Sequence, residues 1–325
     1  MLYPLLFKDN LHVIVWGGNR LEALKGMSAD DRTVGESWEI SAVEGSESIV
    51  ENGPLEGYTI NRLIAEYGEE LMGRRISQVH GSEFPLLVKF IDALGDLSIQ
   101  VHPNDELARQ RHGKLGKTEV WYVMDALPGA SVLLGFREQI RPEEYAAKVA
   151  DGSIVDSLAR LEVKAGDVFF IPAGRVHAIC HGILLCEIQQ SSDVTYRLFD
   201  YHRLGLDGKP RQLHTEEARD AIDYKVYDDY RTHYTPCDEG VVCIADCPYF
   251  VVNVVSTSST LHRNLLKEES FVTLSCISNA CNITAGGITV TLKAGFSCLI
   301  PAAVADFEIT SLNGGEVRLL ESWAR

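Results

Sequence analysis

Four side chains that can bind a metal lie in three separate segments of the 325-residue chain. Gln100 and His102 are two positions apart in Ser-Ile-Gln-Val-His-Pro, Glu119 follows Gly-Lys-Thr, and His177 lies just beyond a Pro-Ala-Gly turn. Alternate strand residues share a face, so Gln100 and His102 are predicted to point the same way. Two oxygen and two nitrogen donors suit zinc, with a position open for water or substrate. A histidine in a β protein is often only hydrogen-bonded, and the residues alone leave both interpretations open.

Two lysines accompany these donors. Lys89 lies in the apolar run Leu-Leu-Val-Lys-Phe-Ile, where a lysine either extends to solvent or lines a polar pocket. Lys117 shares a strand face with Glu119 by the period of two, unless it is an exposed turn residue beside Gly116. The residues alone leave both alternatives open for each lysine.

A third segment adds acidic and basic groups. An even number of positions separates Glu187, Asp193 and Arg197, so they would share one face of a strand that no bulge interrupts. Charged residues of a polar strand are usually found at the surface, where they form ion pairs. From the sequence alone, a surface ion pair is the favoured interpretation of Asp193 and Arg197.

Short strands separated by turn residues dominate the sequence and would position these groups. The predicted strands include 37–42, 85–93, 120–124, 168–171 and 183–190. Helices are predicted over 59–71, from the spacing of apolar residues, and over 141–158, which has a proline at its second position and an early Glu pair. The polar and aromatic segment 201–234 is predicted to be a connector that is partly helical.

An internal repeat suggests two related β domains. Residues 163–173, Val-Lys-Ala-Gly-Asp-Val-Phe-Phe-Ile-Pro-Ala, resemble residues 292–302, Leu-Lys-Ala-Gly-Phe-Ser-Cys-Leu-Ile-Pro-Ala. The distance between the copies is far longer than the period of a solenoid. The first copy continues to a glycine and a histidine, whereas the second has Ala303 and Asp306 at those positions. Only the first copy is therefore predicted to bind a metal through histidine.

Length and composition limit the remaining possibilities. The length fits one large domain or two moderate ones. With the internal repeat, we predict a metal-binding catalytic domain with helical insertions and a connector over 1–235, and a metal-free β domain over 236–325. A net charge of −16 disfavours nucleic acid, but a few local cations can still hold a small anion. The apolar start of the chain is too short for a signal peptide, and no run approaches the roughly 18 apolar residues of a membrane helix. The sequence thus predicts a cytoplasmic protein.

The eight cysteines do not predict disulfides. They form no CxxC pair, the chain is not small, and nothing in the sequence suggests secretion. Cys180, Cys186, Cys276 and Cys298 lie in apolar, strand-like segments. We therefore predict buried free thiols at these positions.

A longer motif surrounds His177. Together with Gly166, Pro172 and Gly174 it matches G-x5-P-x-G-x2-H, the second motif of the cupins, whereas Gln100 replaces the first histidine of the usual HxH. That departure, with a glutamate farther downstream and a lysine just before it, resembles the type I mannose-6-phosphate isomerases. The resemblance extends from Trp-Gly-Gly at 16–18 to Ser-Asp-Val-Thr-Tyr-Arg at 192–197. The short chain, without a large helical insertion, is similar to the compact bacterial form.

This resemblance implies a mainly β fold of two cupin-like β-barrel (jelly-roll) domains with a few helices. It implies one zinc ion per chain and the interconversion of mannose 6-phosphate and fructose 6-phosphate through a cis-enediol. The implied metal ligands are Gln100, His102, Glu119 and His177. The implied substrate-binding residues are Lys89, Lys117 and Arg197, and the catalytic residues are Arg197, Lys117, Glu187 and Asp193. The base remains open among Glu187, Asp193 and a water on the metal.

Two other functions also fit the pattern. His102, Glu119 and His177 could form the facial triad of a non-haem iron oxygenase, although a fourth donor and the nearby cations argue against it. A non-catalytic sugar- or metal-binding cupin is the second alternative, because fold does not fix function. The expected partner is a small sugar phosphate, with neither nucleic acid nor membrane, and the expected state is a monomer or homodimer.

Overall fold

The chain is built mainly from antiparallel strands, as its short alternating segments predict. A computed structural model describes residues 2–27 and 33–325, and within these ranges the strands form four sheets. The strands are β1 (Leu5–Leu6), β2 (Leu11–Gly18), β3 (Val34–Ile40), β4 (Leu86–Ala93), β5 (Ile99–Val101), β6 (Glu119–Ala126), β7 (Ser131–Phe136), β8 (Leu158–Glu162), β9 (Val168–Ile171), β10 (His177–Ile179), β11 (Ile183–Gln190), β12 (Tyr196–Phe199), β13 (Gly240–Asp246), β14 (Phe250–Thr257), β15 (Thr260–Asn264), β16 (Val272–Ser278), β17 (Ala280–Ala285), β18 (Ile288–Lys293), β19 (Ser297–Ile300), β20 (Asp306–Ser311) and β21 (Val317–Ala324).

Two pairs of sheets divide the molecule into two halves. In the first half, sheet I has the order β2-β3-β4-β11-β6-β9 and sheet II the order β12-β5-β10-β7-β8. In the second half, sheet III has the order β1-β19-β16-β21-β14-β13 and sheet IV the order β15-β20-β17-β18. One strand crosses between the halves, because the N-terminal β1 pairs with β19 through Leu5 and Leu299.

The described residues form four apolar cores, as the alternation of side chains along the strands predicts. One of them covers the outer face of sheet II, where Val101 and Leu133 pack against Tyr145 and Ala218. Sheets I and II enclose one core, and sheets III and IV enclose another. The outer face of sheet I packs against sheet III in a third core, to which β11 contributes Cys186 and Ile188 and the second half contributes Val252, Phe271 and Leu320. On β11, Leu185 instead faces sheet II. The second half therefore supports the back of the sheet whose inner face holds the candidate site.

The helices are short and lie between strands. They are α1 (Arg20–Leu24), α2 (Ile60–Tyr67), α3 (Glu69–Met72), α4 (Arg74–His80), α5 (Asp105–His112), α6 (Pro142–Asp151) and α7 (Thr215–Ala221). The single helix predicted over 59–71 is wrong, because Gly68, at φ 44°, separates α2 from α3. The helix predicted over 141–158 ends at Asp151, and a 3-10 turn, Ser153–Ser157, leads into β8. The predicted connector 201–234 does contain a helix, α7.

Other sequence predictions agree with the fold. The strands predicted at 120–124, 168–171 and 183–190 lie within β6, β9 and β11, whereas β3 ends two residues before the predicted end at 42. All eight cysteines are free, and the four predicted to be buried are buried. No helix in the described ranges has the length and apolar character needed to span a membrane.

Candidate metal centre and adjoining pocket

The predicted metal ligands meet between sheets I and II. The ligand atoms of His102, Glu119 and His177 lie within 4.8 Å of one another, and all three side chains are buried. His102 follows β5, Glu119 begins β6 and His177 begins β10. Antiparallel pairing of β10 with β5 places His177 opposite Gln100. The fourth predicted ligand therefore reaches the same place, with Gln100 Nε2 3.2 Å from His177 Nε2.

Contacts behind the histidines determine which ring nitrogens face the centre. Nδ1 of His102 lies 3.0 Å from the carbonyl oxygen of Val194. Nδ1 of His177 lies 2.9 Å from the carbonyl oxygen of Arg175. A carbonyl oxygen only accepts, so each ring carries its proton on Nδ1 and leaves the Nε2 lone pair for the centre. Histidines that bind metals are commonly oriented by such contacts.

The charge state of the group also fits a divalent cation. Burial and the nearby Lys117 ammonium lower the pKa of His177 to about 3 and hold the pKa of His102 well below its usual range. Both imidazoles are therefore neutral at pH 7. Glu119 Oε1 is buried and has no hydrogen-bond partner among the described residues. Two neutral imidazoles and a carboxylate oxygen without a donor are a donor set that suits zinc. If the amide of Gln100 turned by 180°, its oxygen would face the same place.

Lys117 places a positive charge against this group. Its ammonium forms an ion pair with Glu119 Oε2 and lies 3.2 Å from His102 Nε2. Burial and the neighbouring Glu187 carboxylate nevertheless raise the pKa of Glu119 to about 7. The Lys117 ammonium shows that the space next to Glu119 and His102 accommodates a positive charge.

A row of side chains crosses the inner face of sheet I beside the ligands. Strand register sets Glu187 of β11 directly opposite Lys89 of β4 on one side and Trp121 of β6 on the other. Lys89 is in turn opposite Trp38 of β3, and its ammonium lies 4.6 Å from the Trp38 ring centre. Glu36, two residues before Trp38, lies 3.3 Å from Lys89 Nζ. Lys89 therefore lines a polar pocket rather than extending to solvent.

The carboxylate of Glu187 lies between two ammonium groups. Its Oε1 is 3.6 Å from Lys89 Nζ and 3.8 Å from Lys117 Nζ. Burial alone would raise the pKa of Glu187, but the two lysines and a hydrogen bond from Trp121 outweigh it, and the pKa is lowered. Glu187 is therefore an ionised, buried carboxylate at neutral pH.

A pocket of about 480 Å³ opens from this row, and two arginines line it. Arg197 Nε donates to Ser98 Oγ at 3.2 Å, and Arg211 Nε donates to Asp200 Oδ2 at 2.7 Å. Burial and the like charge of Arg211 lower the pKa of Arg197. An anion bound in the pocket would be attracted by both guanidinium groups and would offset their mutual repulsion.

The expectation that Glu187, Asp193 and Arg197 share one strand face is wrong, because the strand is interrupted between them. β11 ends at Gln190 and β12 begins at Tyr196 in the opposite sheet, so the chain crosses from sheet I to sheet II between them. Glu187 and Arg197 still reach one pocket, from different sheets. Asp193 lies in the crossing, where its exposed carboxylate is 2.5 Å from Lys114 Nζ at the rim of the pocket.

Several residues at the site were not singled out from the sequence. Trp121 could have been found, because the period of two that joins Lys117 to Glu119 continues to it. Trp38 lies within the strand predicted at 37–42 and Glu36 lies just before that strand, but no motif marked either residue. Arg211 lies in the polar connector, where side chains show no periodicity.

Two pairs of facing sheets, with a buried His–Glu–His group between the sheets of one pair, define a mainly β protein of the cupin class, and this fold class is the one that the sequence predicts. Two family profiles match the chain: "Phosphomannose isomerase type I, catalytic domain" over residues 5–122, and "Mannose-6-phosphate isomerase, cupin domain" over residues 243–320.

Individual proteins resemble about two thirds or more of the chain. Mannose-6-phosphate isomerase ManA of Bacillus subtilis is 35% identical over 94% of this chain and 95% of its own. Mannose-6-phosphate isomerase of Streptococcus mutans is 42% identical over 68% of each chain. The crystal structure of the Bacillus subtilis mannose 6-phosphate isomerase superposes with a TM-score of 0.88, at 33% identity and 99% coverage of both chains. The chain belongs to the mannose-6-phosphate isomerase family, and the resemblance predicted from its sequence is confirmed.

Proposed function

We propose that the protein interconverts mannose 6-phosphate and fructose 6-phosphate, with one zinc ion bound by Gln100, His102, Glu119 and His177. In this proposal, residues 1–235 form the catalytic domain and residues 236–325 a metal-free β domain. One observation carries the proposal: two neutral imidazoles and the unsatisfied Glu119 oxygen lie beside Glu187, an ionised carboxylate flanked by two lysines. Family membership independently supports it.

Isomerisation of an aldose to a ketose moves a proton between C1 and C2, so the site needs a base and a means of stabilising negative oxygen. A divalent metal at this centre would polarise the substrate's carbonyl and hydroxyl oxygens. Glu187 is the base that fits best, because its lowered pKa keeps it ionised and its Oε1 faces the lysines at the pocket. Asp193 fits less well, because its carboxylate is exposed and paired with Lys114.

The cations of the site have separable tasks. Lys117 lies against the ligands Glu119 and His102, where it would stabilise charge on the enediolate oxygens. Burial would lower the pKa of Lys89, but Glu36 and Glu187 raise it, so Lys89 stays protonated and can bind the substrate. Arg197 and Arg211 supply planar guanidinium groups, which suit a phosphate. These local cations act inside a protein whose net charge is −16.

The location and the assembly state form part of the same proposal. Eight free thiols are typical of proteins in a reducing compartment. A cytoplasmic enzyme would meet sugar phosphates there, as a monomer or a homodimer. The proposed substrate requires no nucleic acid and no membrane.

A coupled assay with mannose 6-phosphate and zinc-loaded protein tests the function. We expect formation of fructose 6-phosphate, and, in deuterium oxide, incorporation of solvent deuterium into the product, because the proton passes through an exchangeable carboxyl group. Failure to convert mannose 6-phosphate would refute the proposal. Oxygen consumption by the ferrous protein would instead favour an oxygenase built on the same His–Glu–His group.

A further inference from the structure

Trp121 lies at the junction of the metal centre and the candidate base. It follows Glu119 by two residues in β6, so both side chains face the inside of the first half. Strand pairing sets it directly opposite Glu187. Its side chain is among the largest that are fully buried.

The indole makes two different contacts. Its Nε1–H donates to Glu187 Oε2 at 2.8 Å. Its ring stands edge-on to the imidazole of His177, with ring centres 5.3 Å apart and planes at 82°. One side chain therefore touches both the candidate base and a candidate metal ligand.

The two oxygens of Glu187 are in different environments as a result. Trp121 holds Oε2, whereas Oε1 lies 3.6 Å from Lys89 Nζ and 3.8 Å from Lys117 Nζ. The terminal torsion of a glutamate is broad, so a carboxylate without a fixed partner rotates between many orientations. A directed N–H donor on one oxygen restricts that rotation and leaves the other oxygen toward the pocket.

We infer that Trp121 is a positioning residue for the isomerisation: its indole N–H holds the Glu187 carboxylate so that Oε1 is presented to the substrate. This inference rests on the proposed function and on the role of Glu187 as the base. Trp121 does not itself transfer a proton. Its contribution is preorganisation, which affects turnover more than substrate binding.

The first experiment replaces Trp121 with phenylalanine, which keeps an aromatic ring beside His177 and removes the N–H. We expect kcat to fall about ten- to a hundredfold, the usual effect of losing a hydrogen bond to a charged group, with KM changed less than about threefold. Zinc content should stay at the wild-type level, since the N–H does not touch the ligands. Trp323→Phe is the matched control: Trp323 is buried in β21, and its indole nitrogen has no hydrogen-bond partner within the described part of the chain. It should keep the wild-type kcat.

A double-mutant cycle then separates positioning from general damage to the fold. If Trp121 acts through Glu187, Trp121→Phe should have little further effect on kcat in a Glu187→Gln background. Equal kcat values for Trp121→Phe and Trp323→Phe, or an undiminished loss in the Glu187→Gln background, would overturn the inference while leaving the isomerase function standing. A wild-type protein that does not isomerise mannose 6-phosphate would refute the function, and the inference with it.

Discussion

The two halves of the molecule contain the same local repeat but continue it differently. β9 and β19 each run into a proline. In the first half the turn passes through Gly174, at φ 91°, and β10 begins with the buried His177. In the second half a 3-10 turn, Ala302–Val304, follows the proline, and β20 begins with the exposed Asp306. A glycine with positive φ is therefore present in the turn before the buried imidazole, and a 3-10 turn takes its place before the surface carboxylate.

Glu119 of the first half and Glu321 of the second half are both fully buried, and the neighbours of these two carboxylates differ. Glu321 of the second half accepts two hydrogen bonds from Arg263, each of 2.8 Å, and one of 2.9 Å from Asn253. Glu119 of the first half keeps an oxygen without a hydrogen-bond partner among the described residues, beside two neutral imidazoles. The two halves therefore differ in whether the buried carboxylate is fully paired with protein groups.

The largest expected effect comes from removing the histidine that follows the first repeat. His177→Ala deletes an imidazole whose Nε2 faces the centre. We expect the variant to lose its bound metal and its isomerase activity while its circular dichroism remains that of a folded β protein. Elemental analysis and the coupled assay measure the two losses.

Asp306→Ala is the matched control at the equivalent position of the second repeat. Asp306 is exposed and pairs with His262 at 2.6 Å, so we expect wild-type turnover and metal content. Full zinc occupancy in His177→Ala would remove His177 from the ligand set. A large fall in turnover for a stable Asp306→Ala would give the second half a part in the chemistry.

Arg197→Ala should have the next largest effect. If the guanidinium stabilises charge that grows as the proton leaves the substrate, kcat should fall about a hundredfold and KM should change less. Steady-state kinetics at saturating zinc measure kcat and KM of the variant. A normal kcat with a raised KM would make Arg197 a binding residue only.

Zinc affinity should depend on pH through Glu119. This carboxyl, with its pKa raised to about 7 by burial and by Glu187, must lose its proton to bind the metal. Below pH 7 the apparent affinity should therefore fall about tenfold per unit, whereas the histidines, whose pKa values are lowered, add no loss until far lower pH. Chelator competition between pH 5 and 8 measures this slope. A slope that persists unchanged in Glu119→Gln would assign the proton to another group.

The smallest effect on activity is expected for the buried charge of the second half. Arg263→Met leaves Glu321 buried without its cation, which should lower the free energy of unfolding by about 3 kcal/mol. The kcat of the folded variant should equal that of the wild type. Urea unfolding and the coupled assay provide the two values, and a fall in kcat at full folding would show that the halves are coupled in catalysis.

Local periodicity and family resemblance predicted much of the site. The expectation that Lys117 and Glu119 lie together is confirmed by their ion pair, although Lys117 lies just before β6. The buried strand around Lys89 is also found. The meeting of Gln100 with His177 required the pairing of β5 with β10, which lie far apart in sequence, so spacing alone could not show it. The resemblance supplied that link.

The failures have physical causes. Glu187, Asp193 and Arg197 do not share a face, because the chain leaves the sheet after Gln190. Gln189 Nε2 donates to the carbonyl oxygens of Gln190 and Ser192 at this exit. The joining of β1 to sheet III depends on a pairing with Cys298 and Leu299 at the other end of the chain. Such contacts are properties of the assembled sheets, and no local pattern encodes them.

The central claim is that the chemistry depends on a single metal centre in the first half. A zinc titration of chelator-treated protein, with isomerase activity followed at each addition, tests it most directly. We expect the metal-free protein to be inactive and activity to rise linearly to a plateau at one zinc per chain. Full activity without metal, or a plateau at two zinc ions per chain, would contradict the account.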